Sequence, residues 1–78
     1  MEVLIYSKNN CPNCQKAKIK LSKFNPKILL LEKDITREEF FSKFPNAKEV
    51  PQIVINNKHI GGLKEVENWL AFNTENDF

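Results

Sequence analysis

The chain has 78 residues, of which 41% are hydrophobic and 28% charged, and its formal net charge is +2. This length accommodates one small domain, and no stretch approaches the roughly 20 apolar residues that a membrane-spanning helix needs. No signal-peptide pattern opens the chain, so we expect residues 1–78 to form a single domain that is cytoplasmic, monomeric and not bound to a membrane.

The charges are distributed unevenly along the chain. Residues 7–31 contain six lysines and no acidic residue, whereas residues 32–78 contain nine acidic and six basic residues. The lysine-rich segment would attract a small anionic ligand or an acidic partner, although an ordinary solvated helix face has the same composition. We do not expect nucleic-acid binding, because no aromatic residues are interleaved with these lysines to stack on bases.

The first half of the chain has the pattern of a strand–helix–strand unit. Residues 3–6 are apolar and β-prone, as in a strand buried on both faces. Residues 12 to about 24 predict a helix that ends at an Asn-Pro pair, and residues 28–31 predict a second strand parallel to the first. The apolar residues of the helix recur at helical spacing, at Cys14, Ala17, Leu21 and Phe24.

The second half predicts a helix, a hairpin and a last helix. Thr36 and Glu39 match a capping box that opens a short helix, whose buried side would be Phe40, Phe41 and Phe44. Residues 53–55 and 58–60 would pair as antiparallel strands across an Asn-Asn turn. The last helix would bury Leu63, Val66, Trp69 and Leu70. The order β-α-β-α-β-β-α predicts an α/β fold, with a polar tail that frays from about residue 73.

The candidate site is the motif Cys11-Pro12-Asn13-Cys14, which lies between the first strand and the first helix. At a helix N-terminus, unpaired N–H groups and the helix dipole stabilise a thiolate. Pro12 suits the first helical position, where no N–H is needed. We therefore expect Cys11 to be exposed, with a pKa below the usual ~8.5, and Cys14 to lie within disulfide range.

A pair of cysteines at this spacing also occurs in zinc sites, which require four ligands. The chain offers two cysteines and one histidine, His59, which we interpret as an ordinary strand residue. We therefore expect no metal, and the strand–motif–helix context favours thiol–disulfide exchange.

Two features elsewhere are compatible with ligand binding. Pro51 precedes the third strand, where a trans peptide bond is the commoner arrangement; a cis bond would turn the backbone of Val50 outward as a free strand edge. The pair Gly61-Gly62 precedes the last helix, where it forms a turn or allows a carboxylate to approach the helix N-terminus.

Three motifs, in this order, resemble the glutaredoxin family: Lys8-x-x-Cys11-Pro12-Asn13-Cys14, Val50-Pro51-Gln52-Ile53-Val54-Ile55 and His59-Ile60-Gly61-Gly62. The resemblance extends from Val3 to Phe72. It implies a thioredoxin-like fold with a four-stranded mixed sheet flanked by three helices. It also implies a glutathione-dependent oxidoreductase that reduces protein disulfides and glutathionylated proteins, ribonucleotide reductase being a common client in the family.

The resemblance also implies roles for individual residues. Cys11 would be the nucleophile and Cys14 the resolving thiol. Lys8 would help stabilise the thiolate and would bind a carboxylate of glutathione. Val50, beside a cis Pro51, would pair with the cysteinyl backbone of glutathione. The γ-glutamyl end would lie against a last group of residues, Gly62, Leu63 and Lys64, with Asn13 also lining the site.

Three positions depart from the family pattern. Asn13 stands where the family usually has tyrosine, so an aromatic wall is missing. Glu49 replaces a threonine, and its carboxylate disfavours an anionic tripeptide unless it points away or pairs with Lys48. Glu65 replaces an aspartate and can supply the same charge on a longer arm.

Three other functions are compatible with parts of the sequence. A glutaredoxin-like redoxin would take electrons from thioredoxin reductase, but the glycine pair argues against that subgroup. An iron–sulfur carrier would share a cluster between two subunits through Cys11 and two glutathiones, but the second cysteine disfavours it. A non-catalytic interaction module is disfavoured by the two intact cysteines.

Overall fold

The computed structural model describes residues 1–74, and these form four strands and three α-helices in the predicted order. The bounds are β1 Val3–Ser7, α1 Pro12–Lys20, β2 Lys27–Leu30, α2 Arg37–Lys43, β3 Gln52–Ile55, β4 Lys58–Gly61 and α3 Leu63–Thr74. None of the helices within residues 1–74 is long and apolar enough to cross a membrane.

The four strands form one mixed sheet in the order β2-β1-β3-β4. β1 runs parallel to β2 and antiparallel to β3, and β3 pairs antiparallel with β4. Ile5, in the middle of β1, lies opposite Ile28 on one side and Ile53 on the other. Asn56 and Asn57 form the hairpin turn with φ values of 51° and 67°, which confirms the predicted turn.

One face of the sheet is covered by α1 and α3. Alternate residues of a strand point to opposite faces, and on this face Ile5 and Ile53 are fully buried. Ala17 of α1 and Val66 of α3 complete the same cluster, and both are fully buried. The apolar periodicity of both helices therefore predicts their buried sides correctly.

The other face is covered by α2. Phe40 and Phe44 are buried, and their ring centroids lie 6.2 and 5.1 Å from that of Tyr6. The capping box of Thr36 and Glu39 is present as predicted. The prediction that Phe41 is buried with its neighbours is wrong, because 42% of Phe41 is exposed. Phe41 follows Phe40 by about 100° around the helix, so with Phe40 and Phe44 turned toward the sheet it lies at the edge of the buried side of α2.

Two helix ends differ from the sequence-based expectation. α1 ends at Lys20, and a 3₁₀ turn over Ser22–Phe24 follows it. There the hydroxyl of Ser22 donates to the carbonyl of Ile19 at 2.9 Å, which favours the tighter turn. α3 extends through Thr74, past the predicted start of the tail; the rest of that tail, residues 75–78, lies outside the described residues.

Candidate active site

The two cysteines lie where the loop after β1 enters α1. Cys11 is the N-cap residue of α1 and Pro12 its first helical residue, as predicted. Cys14 is joined to Cys11 by a disulfide, with Cα atoms 5.2 Å apart. No group of three or more His, Cys, Asp or Glu side chains within residues 1–74 is arranged to hold a metal ion.

Backbone groups surround the sulfur of Cys11. Its Sγ accepts a hydrogen bond from the N–H of Cys14 at 3.2 Å, and the carbonyl oxygen of Val50 lies 3.9 Å away. An N–H at a helix N-terminus stabilises negative charge on the sulfur. The geometry therefore favours a thiolate at Cys11 once the disulfide is reduced.

The two cysteines differ in their access to solvent. Cys14 is fully buried, whereas Cys11 retains 7% exposure. The prediction of an exposed Cys11 therefore overestimates its access, because its side chain packs in the cluster that includes Tyr6, Phe40 and Val50. Of the two sulfurs, only that of Cys11 is open to an incoming disulfide, because Cys14 has no solvent-accessible surface.

The backbone at Val50 forms a second polar element beside the sulfur. The peptide bond between Val50 and Pro51 is cis, as the family resemblance implies and against the commoner arrangement. Within residues 1–74, no hydrogen bond engages the N–H of Val50, and its carbonyl faces Cys11. An unpaired edge of this kind can pair with an extended peptide.

A buried side chain, Gln52, holds the segment before Pro51 in place. Its Nε2 donates to the carbonyl of Glu49 at 2.9 Å, and its Oε1 lies 2.7 Å from Nε2 of His59. The ring of His59 also packs on Phe44, with centroids 4.5 Å apart. His59 lies on β4 as expected, but the sequence offers no signal for this link, since it depends on the pairing of β3 with β4.

The start of α3 forms one wall of a cavity of about 310 Å³, here called the α3 groove. The groove contains five of the seven residues predicted to bind glutathione. These are Asn13, Pro51, Gly62, Leu63 and Lys64. Three carboxylates also line it, those of Glu49, Glu65 and Glu67.

The two glycines at this junction differ in backbone conformation and in the space available for a side chain. Gly61 has φ +126°, and a Cβ there would lie 2.7 Å from Cγ of Glu65. The N–H of Gly62 donates to Oε1 of Glu65 at 2.8 Å, so this carboxylate caps the start of α3. Only Gly61 is required by the turn; a Cβ at Gly62 would make ordinary contacts, at 3.4 Å, with the Glu65 carboxylate and the Pro51 carbonyl beside the α3 groove.

The other two residues predicted to bind glutathione, Lys8 and Val50, line a separate cavity of about 150 Å³, here called the Val50 cavity. Glu49 borders both cavities, which therefore adjoin at the segment before Pro51. The apolar part of the lining includes the exposed Phe41, which the helix period predicts to be buried. The remaining lining residues are Leu31, Arg37, Phe40 and Lys48.

Comparisons with known proteins show the family to which the chain belongs. The sequence profile of the glutaredoxin family matches residues 3–60. The chain is 39% identical over 70 residues to Glutaredoxin 1 of Rickettsia prowazekii, covering 85% of this chain and 74% of that protein. Its fold is similar to reduced Escherichia coli glutaredoxin (TM-score 0.78, 28% identity, 96% of this chain and 99% of that one). It is also similar to Glutaredoxin 1 from Francisella tularensis complexed with cacodylate (TM-score 0.76, 28% identity, 96% of each chain). With Cys11 and Cys14 as its redox pair, the chain belongs to the glutaredoxin family of thiol–disulfide oxidoreductases.

Proposed function

We propose that the protein reduces protein disulfides and glutathione mixed disulfides with electrons from glutathione, and that Cys11 is the nucleophile. The observation that carries this proposal is the difference in access between the two sulfurs. Cys11 keeps 7% exposure beside the unpaired backbone of Val50, whereas Cys14 keeps none. A substrate disulfide therefore meets Cys11 first, and Cys14 acts only within the protein.

The exchange with a protein disulfide has two steps. The Cys11 thiolate attacks one substrate sulfur, the substrate S–S bond breaks, and the released thiolate takes a proton from water. Cys14 then loses its proton and attacks the Sγ of Cys11, which releases the second substrate thiol and leaves the pair oxidised. Two glutathione thiols restore the reduced pair and leave as oxidised glutathione.

With a glutathione mixed disulfide, Cys11 alone is sufficient. Its thiolate attacks the glutathionyl sulfur and releases the client as a thiol. A second glutathione then attacks the enzyme–glutathione disulfide and regenerates the Cys11 thiolate. Cys14 has no part in this route, which makes the two cysteines experimentally separable.

The α3 groove and the backbone of Val50 support glutathione as the reductant. The free N–H of Val50, and its carbonyl, which faces Cys11, would pair with the cysteinyl residue of glutathione beside Pro51. The first N–H groups of α3, at Leu63 and Lys64, lack partners within the helix and would bind the γ-glutamyl carboxylate, with Gly62 leaving room for it. Lys8 would meet the glycyl carboxylate.

The three departures from the family pattern are expected to weaken glutathione binding and to leave the sulfur chemistry intact. Asn13 provides no aromatic wall to the α3 groove. Glu49 lines the groove, and within residues 1–74 no ion pair neutralises it. Glu65 already accepts the N–H of Gly62, so its carboxylate supports the helix start. A Glu49→Thr variant should bind glutathione more tightly, because it removes the unpaired Glu49 carboxylate from the groove.

We extend the proposal to partners and location on the family resemblance alone. The clients would be cytoplasmic proteins that carry disulfides or glutathionyl groups, with ribonucleotide reductase among them, and the protein would act as a single-domain monomer. The uneven distribution of lysines supports small anionic substrates such as glutathione, because six lysines lie in residues 7–31, the segment of the chain that contains the redox pair.

The test is a coupled assay with a small glutathione mixed disulfide, glutathione, glutathione reductase and NADPH. Turnover that depends on glutathione supports the proposal. A parallel assay replaces glutathione and its reductase with thioredoxin reductase. Turnover only in the second assay would contradict glutathione dependence and identify a redoxin that thioredoxin reductase reduces.

A further inference from the structure

The Val50 cavity begins at the residue that contacts the reacting sulfur. The carbonyl of Val50 lies 3.9 Å from Sγ of Cys11, and Val50 also lines the cavity. A group that enters the cavity is therefore attached to the substrate within a residue or so of the sulfur that Cys11 attacks.

The wall of the cavity is apolar. It is formed by Leu31, Phe40, Phe41 and Val50, of which Phe41 is 42% exposed. The ring of Phe41 has one aromatic neighbour, Phe40, at a centroid distance of 5.2 Å. A single exposed phenylalanine is ordinary, but this one lines a cavity beside the redox pair together with three other apolar residues.

The rim of the cavity is basic. It contains three basic residues, Lys8, Arg37 and Lys48, and one acidic residue, Glu49. Arg37 is paired with Glu32 at 3.5 Å, whereas no ion pair engages Lys8 or Lys48 within residues 1–74. The rim therefore has unneutralised positive charge above an apolar wall.

Glutathione would use the backbone of Val50 and the charge of Lys8, but neither its γ-glutamyl nor its glycyl residue has an apolar side chain to cover the apolar side chains of this wall. We propose that the Val50 cavity binds a protein client, taking an aliphatic side chain next to the client's cysteine and an acidic side chain at its rim. The inference depends on the proposed function, because Cys11 must attack the disulfide of that client. It assigns Phe41 as a specificity residue for protein clients and not for glutathione.

The probes are disulfide-linked dimers of short, terminally blocked peptides that each contain one cysteine. The matched peptide has leucine next to cysteine and glutamate beyond it. It is made in two versions, with these residues either before or after cysteine, because the cavity does not fix the direction of the client chain. Comparison peptides replace leucine with serine, or glutamate with lysine. Pre-reduced protein is mixed with each dimer without glutathione, quenched with acid and assayed for free peptide. Each reaction consumes two protein thiols, forms the Cys11–Cys14 disulfide and releases two peptide thiols.

With the unmodified protein, the matched peptide in at least one direction should react about fivefold to tenfold faster than the serine peptide, and faster than the lysine peptide. Phe41→Ser should remove most of the preference for leucine, whereas Phe41→Leu, which restores an apolar wall, should keep most of it. Lys48→Gln should reduce the preference for glutamate over lysine. The rate with oxidised glutathione should stay within about twofold of the unmodified protein in the Phe41 variants, since glutathione has no apolar side chain to lose contact.

The controls are matched by residue type. Phe72 is 73% exposed on α3 and lines none of the cavities described above, so Phe72→Ser should leave every peptide rate unchanged. Lys58→Gln removes an exposed charge from β4, away from the Val50 cavity, and should leave the preference for glutamate unchanged. Thermal unfolding of each variant checks that it folds.

Equal rates with all peptides, or equal losses in Phe41→Ser and Phe72→Ser, would overturn the proposal. A parallel loss with oxidised glutathione in Phe41→Ser would also overturn it, because the residue would then serve glutathione itself. If the unmodified protein reacts with peptides but not with oxidised glutathione, the glutathione-dependent function fails while the client inference stands.

Discussion

At the scale of single residues, the active site depends on the different environments of two sulfurs. Cys11 accepts an N–H bond at the start of α1 and keeps some exposure, while Cys14 is fully buried. We predict that Cys11→Ser abolishes turnover of both glutathione mixed disulfides and protein disulfides, because no other sulfur can be attacked from outside. Cys14→Ser should keep the first activity and lose the second.

The same coupled assay, run with a glutathionylated peptide and with a protein disulfide, checks this prediction. Far-ultraviolet circular dichroism of both variants verifies that they fold. Equal loss of both activities in Cys14→Ser would contradict the assignment of Cys14 as the resolving thiol.

A second residue-scale prediction concerns Ser7 at the end of β1. Its side chain is fully buried, and its hydroxyl has no hydrogen-bond partner within residues 1–74. A buried hydroxyl without a partner costs free energy, so Ser7→Ala should stabilise the protein by about 1 kcal/mol. Urea unfolding measures the change, with Ser42→Ala on the exposed side of α2 as the control. A loss of stability in Ser7→Ala would mean that a bound water satisfies the hydroxyl.

At the scale of elements, the junction of β4 and α3 separates a folding requirement from a binding requirement. Gly61→Ala would place a methyl group against the side chain of Glu65 at a backbone φ of +126°. We expect it to destabilise the protein by about 1–3 kcal/mol. At Gly62, a Cβ would lie 3.4 Å from its nearest neighbours, the Glu65 carboxylate and the Pro51 carbonyl, which is tolerable.

Gly62→Ala should therefore fold normally, but its methyl group would enter the α3 groove and raise the KM for glutathione. Urea unfolding combined with steady-state kinetics separates the two effects. If Gly62→Ala destabilises the protein as much as Gly61→Ala and leaves KM unchanged, the second glycine serves the turn and not the ligand.

At the scale of the whole molecule, local patterns predict most of the architecture. The apolar periods of strands and helices are visible in short stretches of sequence, and the N-cap geometry of Cys11 depends only on the residues of its own turn. The exposure of Phe41 depends on which side of α2 packs against Tyr6 of β1, and the link from Gln52 to His59 depends on the pairing of β3 with β4. No local pattern encodes either arrangement. The cis bond at Pro51 is implied by the family resemblance, whereas the residues alone favour a trans bond.

The separation of the site into two cavities is also a property of the whole molecule. Asn13, Pro51 and Gly62 come from three distant segments and meet in the α3 groove. Lys8 and Val50 meet in the adjoining cavity instead. The family motifs predict a single glutathione site from these residues, because a motif gives the residues and not the distances between them.

The uneven charge of the chain yields a last prediction. Six lysines lie in the segment of residues 7–31 that contains the redox pair, and one of them, Lys20, is paired with Glu67 at 3.4 Å. This field should attract oxidised glutathione, which is anionic, and salt should screen the attraction. Between about 10 and 200 mM salt, the second-order rate constant for oxidation of the pre-reduced protein by oxidised glutathione should fall roughly twofold to threefold. A neutral, terminally blocked peptide disulfide should show no such fall.

A charge-reversal pair makes this prediction specific to the lysine-rich segment. Lys16→Glu alters an exposed residue of α1 and should lower the rate constant for oxidation of the pre-reduced protein by oxidised glutathione at low salt, with the loss shrinking as salt rises. Lys58→Glu makes the same change of net charge on β4 and should have a smaller effect. Equal effects of the two variants would show that net charge alone attracts the substrate. An identical salt response of the neutral and anionic disulfides would show that the lysines are an ordinary solvated surface.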